Sequence, residues 1–310
     1  MTRLAHVTIV GAGAMGCLFA ARIATAGRQV MLVDSDTARV AALARDGVTV
    51  RDEQGEHHAR VSACLAGDAP PTDLVILFTK GMHSEAAIRS VAHLAAGDTL
   101  ALTLQNGLGN AEAIAGVFAA DRILIGATDW PADLTGPTSV STHGAGTIKL
   151  GAFADAPDAA LRAVADLLAA AGLAASVDPT VRTAIWEKVA FNAALNTLAA
   201  LTGLRVGQMN VAATRRIASA VVREAVETAA GEGVAVDPAA IEARIDHALA
   251  HHLHHKASML QDREAGRRTE IESINGAIER IARAQGRDVP VTATLADLVR
   301  LVEAPAAIGD

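Results

Sequence analysis

Apolar and polar positions follow two different textures along the chain. Up to about residue 178, short β-branched and aliphatic runs recur: AHVTIV at 5–10, VMLV at 30–33, DLVILFT at 73–79, TLALTL at 99–104 and RILIG at 122–126. Helix-patterned segments lie between them, beginning with an alanine-rich stretch that reaches about Gly27. Strands alternating with helices at this spacing predict an α/β domain with a doubly wound parallel sheet. Residues 126–151, rich in Gly, Thr and Pro, read as loops and short strands. After Pro179 the spacing becomes helical, with breaks near Gly203, Gly207, Gly233, Pro238, Gly286 and Pro290. The expected organisation is therefore a sheet-and-helix domain over 1–178 and an all-helical domain over 179–310.

Where the first strand ends, Gly11-Ala12-Gly13-Ala14-Met15-Gly16 matches G-x-G-x-x-G and opens a helix. The first glycine permits the tight turn, the second lets backbone approach a pyrophosphate, and the third lets helix and strand pack closely. The helix N-terminus adds unpaired N–H groups and partial positive charge. An acid, Asp34, ends the second strand 18 residues beyond Gly16. In this context the pattern is a Rossmann-type dinucleotide site. A carboxylate at position 34 accepts from both ribose hydroxyls of NAD and repels a 2′-phosphate, which favours NAD(H). Arg39, the nearest arginine, lies a turn into the next helix. Asp34, Ser35 and Asp36 are also candidates for capping that helix.

Composition narrows the field. The 27 basic and 34 acidic residues give a net charge of −7, which lacks the footprint of a nucleic-acid or anionic-membrane binder. No apolar run reaches the roughly 20 residues of a membrane span. The nearest, Val189 to Leu204, is interrupted by Asn192 and Asn196. The N-terminus does not read as a signal peptide, and Cys17 and Cys64 have no metal or redox spacing, so a cytoplasmic location is expected. There is no tyrosine. A carbonyl reductase built on this chain must therefore draw its proton from something other than a phenol.

The segment AIWEKVAFNAALNTLAAL, 184–201, places Lys188, Asn192 and Asn196 at i, i+4 and i+8. On a helix these drift by only roughly 80°, so they share one face. Asparagine is a poor interior helix residue, and solvated faces carry Glu, Lys or Arg instead. A face that lines a site competes here with an ordinary solvated one. Further on, Ser258 and Glu270 flank a polar loop, and helical patterning resumes from Glu270 to Arg283. A carboxylate at 270 either holds an ammonium such as that of Lys188 in place or serves at a helix N-terminus beside Thr269. His251, His252, His254 and His255 lack accompanying Cys or carboxylate ligands and read as a solvated stretch, so no metal is expected.

Taken in order, GAGAMG, FTKG at 78–81, TLQNGLGN at 103–110, IWEKVAFNAALN and SMLQD…TEIESINGAI resemble the ketopantoate reductase (2-dehydropantoate 2-reductase) family nearly end to end. The resemblance implies a Rossmann domain followed by a helical domain, with the site in the cleft between them. It implies reduction of a 2-oxo acid to the R 2-hydroxy acid in pantothenate synthesis. By position, Lys188 corresponds to the general acid, and Asn192 and Asn196 to substrate-lining amides. Ser258 corresponds to a substrate-contacting serine, and Glu270 to the acid supporting substrate and lysine. Asn106 matches an asparagine near nicotinamide and substrate, and Lys80 a lysine on the cofactor side.

Two features depart from the family. It commonly uses NADPH, often with a basic residue where this chain has Asp34. After Gly126 this chain runs Ala127-Thr128-Asp129-Trp130-Pro131, where the family has Thr and small residues. Trp130 either packs beneath a loop or reshapes the substrate pocket. An NAD-dependent D-2-hydroxy-acid dehydrogenase acting on another branched or aromatic substrate fits both departures. A non-catalytic dinucleotide sensor is the reading from a different class. The alanine-rich second domain offers room for a homodimer interface, though no residue pattern marks one.

Overall fold

The computed structural model of the chain describes residues 4–304. They divide into two compact units: residues up to Gln105 with Asn110–Val181, and Asn106–Gly109 with Arg182 onward.

The first unit begins with β1 (His6–Val10), α1 (Ala14–Thr25), β2 (Gln29–Val33) and α2 (Thr37–Asp46). Asp36 caps α2, its carboxylate accepting from Ala38 N and Arg39 N. There follow β3 (Val48–Asp52), β4 (Gly55–Ala59), β5 (Ser62–Cys64), β6 (Leu74–Leu77), α3 (Ser84–Ser90), β7 (Leu100–Thr103), α4 (Asn110–Ala115) and β8 (Ile123–Thr128). The unit ends with β9 (Asp133–Leu134), β10 (Ser139–Ser141), β11 (Thr147–Ala152), α5 (Asp158–Ala170) and β12 (Ala174–Val177). The main sheet has the order β12-β11-β8-β7-β6-β1-β2-β5. It is parallel except where β11 runs antiparallel to β8. The chain leaves β1 first toward β2 and later returns to β6 on its other side, so the ends of β1 and β6 form the switch point where such sheets bind ligands. Buried residues of α1 (Cys17, Leu18, Phe19, Ile23) and α5 (Val164, Leu168) share one core with Ile9, Leu32 and Ile76 of the sheet.

One expected stretch of helical texture is different. Residues 48–59 form the hairpin β3–β4 within a second sheet, ordered β4-β3-β10-β9. Val48 and Val50 point into the core while Arg51 is exposed. Gly55, at φ +124, turns the chain between the two strands. This two-residue alternation is too short to stand out beside the neighbouring helical segments.

The second unit is helical: α6 (Val181–Thr202), α7 (Ala212–Gly231), α8 (Pro238–His251), α9 (Ser258–Glu264), α10 (Asn275–Ala284) and α11 (Pro290–Glu303). Residues 270–274 are a turn rather than the start of a helix, so α10 begins five residues later than the patterning suggests. Ile271 and Ile274 nevertheless continue the apolar series into the core. No helix among the described residues is long and apolar enough to cross a membrane. The core joins Val189, Ala193 and Leu195 of α6 to Val221 and Val222 of α7, Ile278 of α10 and Val299 of α11.

Helix α11 starts on a buried carboxylate. Glu224 of α7 accepts from Val291 N at 3.0 Å and Thr292 N at 2.8 Å, filling the role of a missing N-cap. Replacing Glu224 with Ala strands one buried and one half-buried donor, so chemical denaturation should show a loss of about 2 kcal/mol, whereas a solvated acid would lose almost nothing. Both cysteines are free, and burial pushes the Cys17 thiol up to about 11. Iodoacetamide near pH 8 should therefore modify Cys64 in the native protein and reach Cys17 only after unfolding, as read by peptide mass.

Candidate active site

In the first unit, the glycine-rich loop joins β1 to α1 at the switch point. Gly11 has φ +103, and a Cβ there would lie 2.7 Å from Thr79 N and 2.8 Å from the Phe78 carbonyl carbon. Only glycine lets this turn cross the end of β6. A Cβ on Gly16 would overlap Gly11 O, so α1 packs on the loop without a side chain between them. Gly13 differs: a Cβ there would meet nothing within 4 Å, and no side chain caps α1. The N–H groups opening α1, with Ala14 and Met15 behind Gly13, thus form an open cradle suited to a pyrophosphate.

Asp34 and Arg39 hold the two sides of one residue in this loop. Asp34 Oδ2 accepts from Ala12 N at 2.8 Å, and Oδ1 accepts from Asp36 N at 3.0 Å. Arg39 Nη1 reaches back from α2 to donate to Ala12 O at 2.9 Å. Asp34 is therefore a loop anchor as well as the acid at the end of β2. Asp36, not Asp34, is the cap of α2. The reach of Arg39 depends on how α2 lies against the loop, which sequence spacing does not reveal.

The ends of β6 and β7 are joined by a polar network that had no sequence signature. Gln105 Nε2 donates to Thr79 O at 2.5 Å and to Ser84 Oγ at 2.9 Å, while its Oε1 accepts from Thr103 Oγ1 at 2.9 Å. Ser84 Oγ in turn donates to Asn110 Oδ1 at 2.9 Å. The network fixes the loop that carries Lys80, which is half-buried directly after Thr79. Trp130 packs against the first unit's core, and its indole leaves Gly146 no room for a side chain.

In the second unit, α6 carries Lys188, Asn192 and Asn196 within one unbroken helix. Asn192 is 8% exposed and Asn196 7%, so the asparagines do not lie on a solvated face; Lys188 is half-buried. Two amides in an apolar helix are costly to desolvate unless something accepts and donates to them. Asn196 Oδ1 lies 3.5 Å from the hydroxyl of Ser258, the exposed first residue of α9. The Asn192 side chain, one turn earlier on the same helix, makes no hydrogen bond to another described residue.

Glu270, 9% exposed, sits in the turn ahead of α10 and accepts from Asn106 Nδ2 at 3.4 Å. Asn106 reaches it because Asn106–Gly109 packs with the second unit: Leu108 N donates to Ser273 O at 2.8 Å. Gly107, at φ +85, lies so close that a Cβ would overlap the Ser273 carbonyl. The structure thus pairs Asn196 with Ser258, Asn106 with Glu270, and Asp34 with the glycine loop. The four histidines of 251–255 are exposed, with the His251 ring stacked on His247 at 4.3 Å between centroids. Among the described residues, no group of three or more His, Cys, Asp or Glu could hold a metal ion.

Comparisons with known proteins agree over nearly the whole length. The profile described as "Ketopantoate reductase PanE/ApbA" matches residues 7–155, and that described as "Ketopantoate reductase PanE/ApbA C terminal" matches 180–303. The 2-dehydropantoate 2-reductase of Halobacterium salinarum is 33% identical over 303 residues, covering 96% of this chain and 99% of that one. The enzyme of the same name from Archaeoglobus fulgidus is 31% identical, covering 97% and 99%. Among solved structures, D-mandelate dehydrogenase with NADH and anilino(oxo)acetate superposes with a TM-score of 0.92 at 30% identity, covering 96% and 98%. The 2-dehydropantoate 2-reductase of Geobacter metallireducens superposes at 0.86 with 29% identity, covering 96% and 99%. With both halves matched in order, and a Rossmann-type sheet followed by a helical unit, the chain belongs to the ketopantoate reductase family of oxidoreductases.

Proposed function

We propose that the protein reduces a 2-oxo acid to its R 2-hydroxy acid with a nicotinamide cofactor, 2-dehydropantoate being the leading substrate. The observation that carries this reading is the α6 stripe, where a half-buried lysine precedes two buried asparagines on one face. Gly11, Ala12, Gly13, Ala14, Met15, Gly16, Asp34 and Lys80 would hold the cofactor, which when bound supplies the hydride. As negative charge develops on the carbonyl oxygen, the Lys188 ammonium stabilises it and passes a proton to it from Nζ, giving the alcohol. The amides of Asn192 and Asn196, the Ser258 hydroxyl and Asn106 would orient the substrate's carboxylate and carbonyl. The Glu270 carboxylate would support both substrate and ammonium. With no tyrosine in the chain, the ammonium is the natural proton donor.

NAD(H) is the favoured cofactor, because the Asp34 carboxylate ends β2 where a 2′-phosphate would be repelled. NADP(H) is the alternative for this family. A second reading, an NAD-dependent D-2-hydroxy-acid dehydrogenase for branched or aromatic 2-oxo acids, draws on the likeness to D-mandelate dehydrogenase and on the Trp130 segment. A non-catalytic dinucleotide sensor would leave the buried amides of α6 without a purpose.

Purified protein should oxidise NADH in the presence of 2-dehydropantoate; a side-by-side panel of branched and aromatic 2-oxo acids decides between the two substrate readings. Lys188→Ala should lower kcat by about 10²–10⁴-fold while NADH binding, followed by fluorescence titration, stays within about twofold. A near-normal rate in that variant would remove Lys188 as the acid. Asp34→Ser should raise the NADPH-to-NADH ratio of kcat/KM by roughly tenfold, and an unchanged ratio would leave Asp34 with only its anchoring role.

A further inference from the structure

We propose that Arg300 and Glu303, near the end of α11, are positioning residues that clamp the 268–274 turn and thereby set Glu270 and Asn106 for the substrate. The proposal rests on the roles given to those two residues above.

Glu270 lies in the turn between α9 and α10, outside any helix or strand. Its own carbonyl accepts from Ser273 N at 3.0 Å and Ile274 N at 3.1 Å, which folds the turn but leaves its orientation to outside contacts. Both shoulders of Glu270 are gripped from α11. On one side, Glu303 Oε1 accepts from Thr269 N at 2.7 Å. On the other, Arg300 holds Glu272 through two parallel bonds, Nε to Oε1 at 2.8 Å and Nη2 to Oε2 at 2.9 Å. Arg300 Nη1 is shared between Asp297 at 2.8 Å and Glu279 at 3.2 Å, so the guanidinium is held from three sides. Glu272 O also accepts from Arg280 Nη1 at 3.0 Å.

The pair crosses α10 at Gly276, where a Cβ would lie 2.6 Å from Glu272 Oε2 and 3.0 Å from Arg300 Nη2. Helix α11 is itself fixed at its start by Glu224. The turn then carries the 106–108 strap on Ser273 and Glu270. Half-exposed ion pairs contribute little to stability, so a fork of this completeness acts mainly on orientation. The hydrogen-bonded Arg300 guanidinium holds the Glu272 carboxyl below its usual range, which favours the ionised fork.

The test is steady-state kinetics of Arg300→Met, Glu272→Ala, their double variant and Glu272→Gln, beside the wild type. KM for the 2-oxo acid should rise roughly tenfold in either of the first two, with kcat and KM for the nicotinamide cofactor, which Asn106 also neighbours, each within about threefold. Because both act through one fork, the double variant should be no worse than either single. Glu272→Gln keeps one acceptor for the guanidinium and should recover most of the loss. Wild-type KM for the 2-oxo acid in folded Arg300→Met, multiplying effects in the double variant, or a parallel rise in cofactor KM would overturn the clamp. If Arg300→Met does not fold, Glu272→Ala and Glu272→Gln carry the same comparison. Absence of any wild-type turnover overturns the functional reading together with the clamp, whereas turnover with unaffected variants overturns the clamp alone.

Discussion

The helical unit hangs on one fully buried amide. Asn275, at the start of α10, accepts from Thr197 Oγ1 at 2.7 Å and donates to Ala193 O at 3.2 Å. Both partners lie on α6, interleaved with the stripe of Lys188, Asn192 and Asn196. A buried amide satisfied on both its atoms tolerates almost no sliding, since any shift leaves a donor or acceptor stranded in apolar surroundings. The clasp therefore sets the register between α6 and the turn that precedes α10. Everything proposed for substrate recognition in this unit inherits that register, because Glu270 lies five residues before the clasp and Asn106 is carried on Glu270 and Ser273.

Apolar packing and polar contacts divide the work here. The core around α6 is built largely of alanine, valine and leucine, which specify proximity but little direction. Direction comes from a few polar contacts: Glu224 under α11, Asn275 against α6, and Arg300 and Glu303 on the turn. The first unit follows the same logic. Its sheet and α1 make the core, while Asp34, Arg39 and Gln105 tie down the loops that follow β1, β6 and β7.

Features carried by residue type at short spacing were legible in the sequence. The glycine loop could be read because each glycine answers a local steric demand, seen in the near-contacts of Gly11 and Gly16. The α6 stripe could be read because asparagines at i+4 and i+8 contradict an otherwise apolar helix. The 268–274 turn could not, since Ile271, Ile274 and Ile278 keep a helical beat while the backbone between them leaves the helix. Contacts such as Arg39 to Ala12, Arg300 to Glu272 and Glu303 to Thr269 join residues 27 to 34 positions apart. No local pattern distinguishes those side chains from other surface charges. The departure of 106–109 from its flanking chain was likewise hidden, although Gly107 is the residue that lets the strap approach Ser273 so closely.

The bond from Ala12 N to Asp34 has a consequence for how this binding loop can change over evolutionary time. The carboxylate that would read the ribose also completes the hydrogen bonding of the loop that would cradle the phosphates. Under the proposed ribose contact, selection for a phosphorylated cofactor cannot simply place a basic residue at position 34, since that removes an acceptor of the Ala12 N–H. The accessible routes pass through serine or asparagine, which retain an acceptor, or through a compensating change in α2 where Arg39 already holds the opposite side of Ala12. Under the proposed ribose contact, cofactor preference and loop order are thus coupled through one side chain.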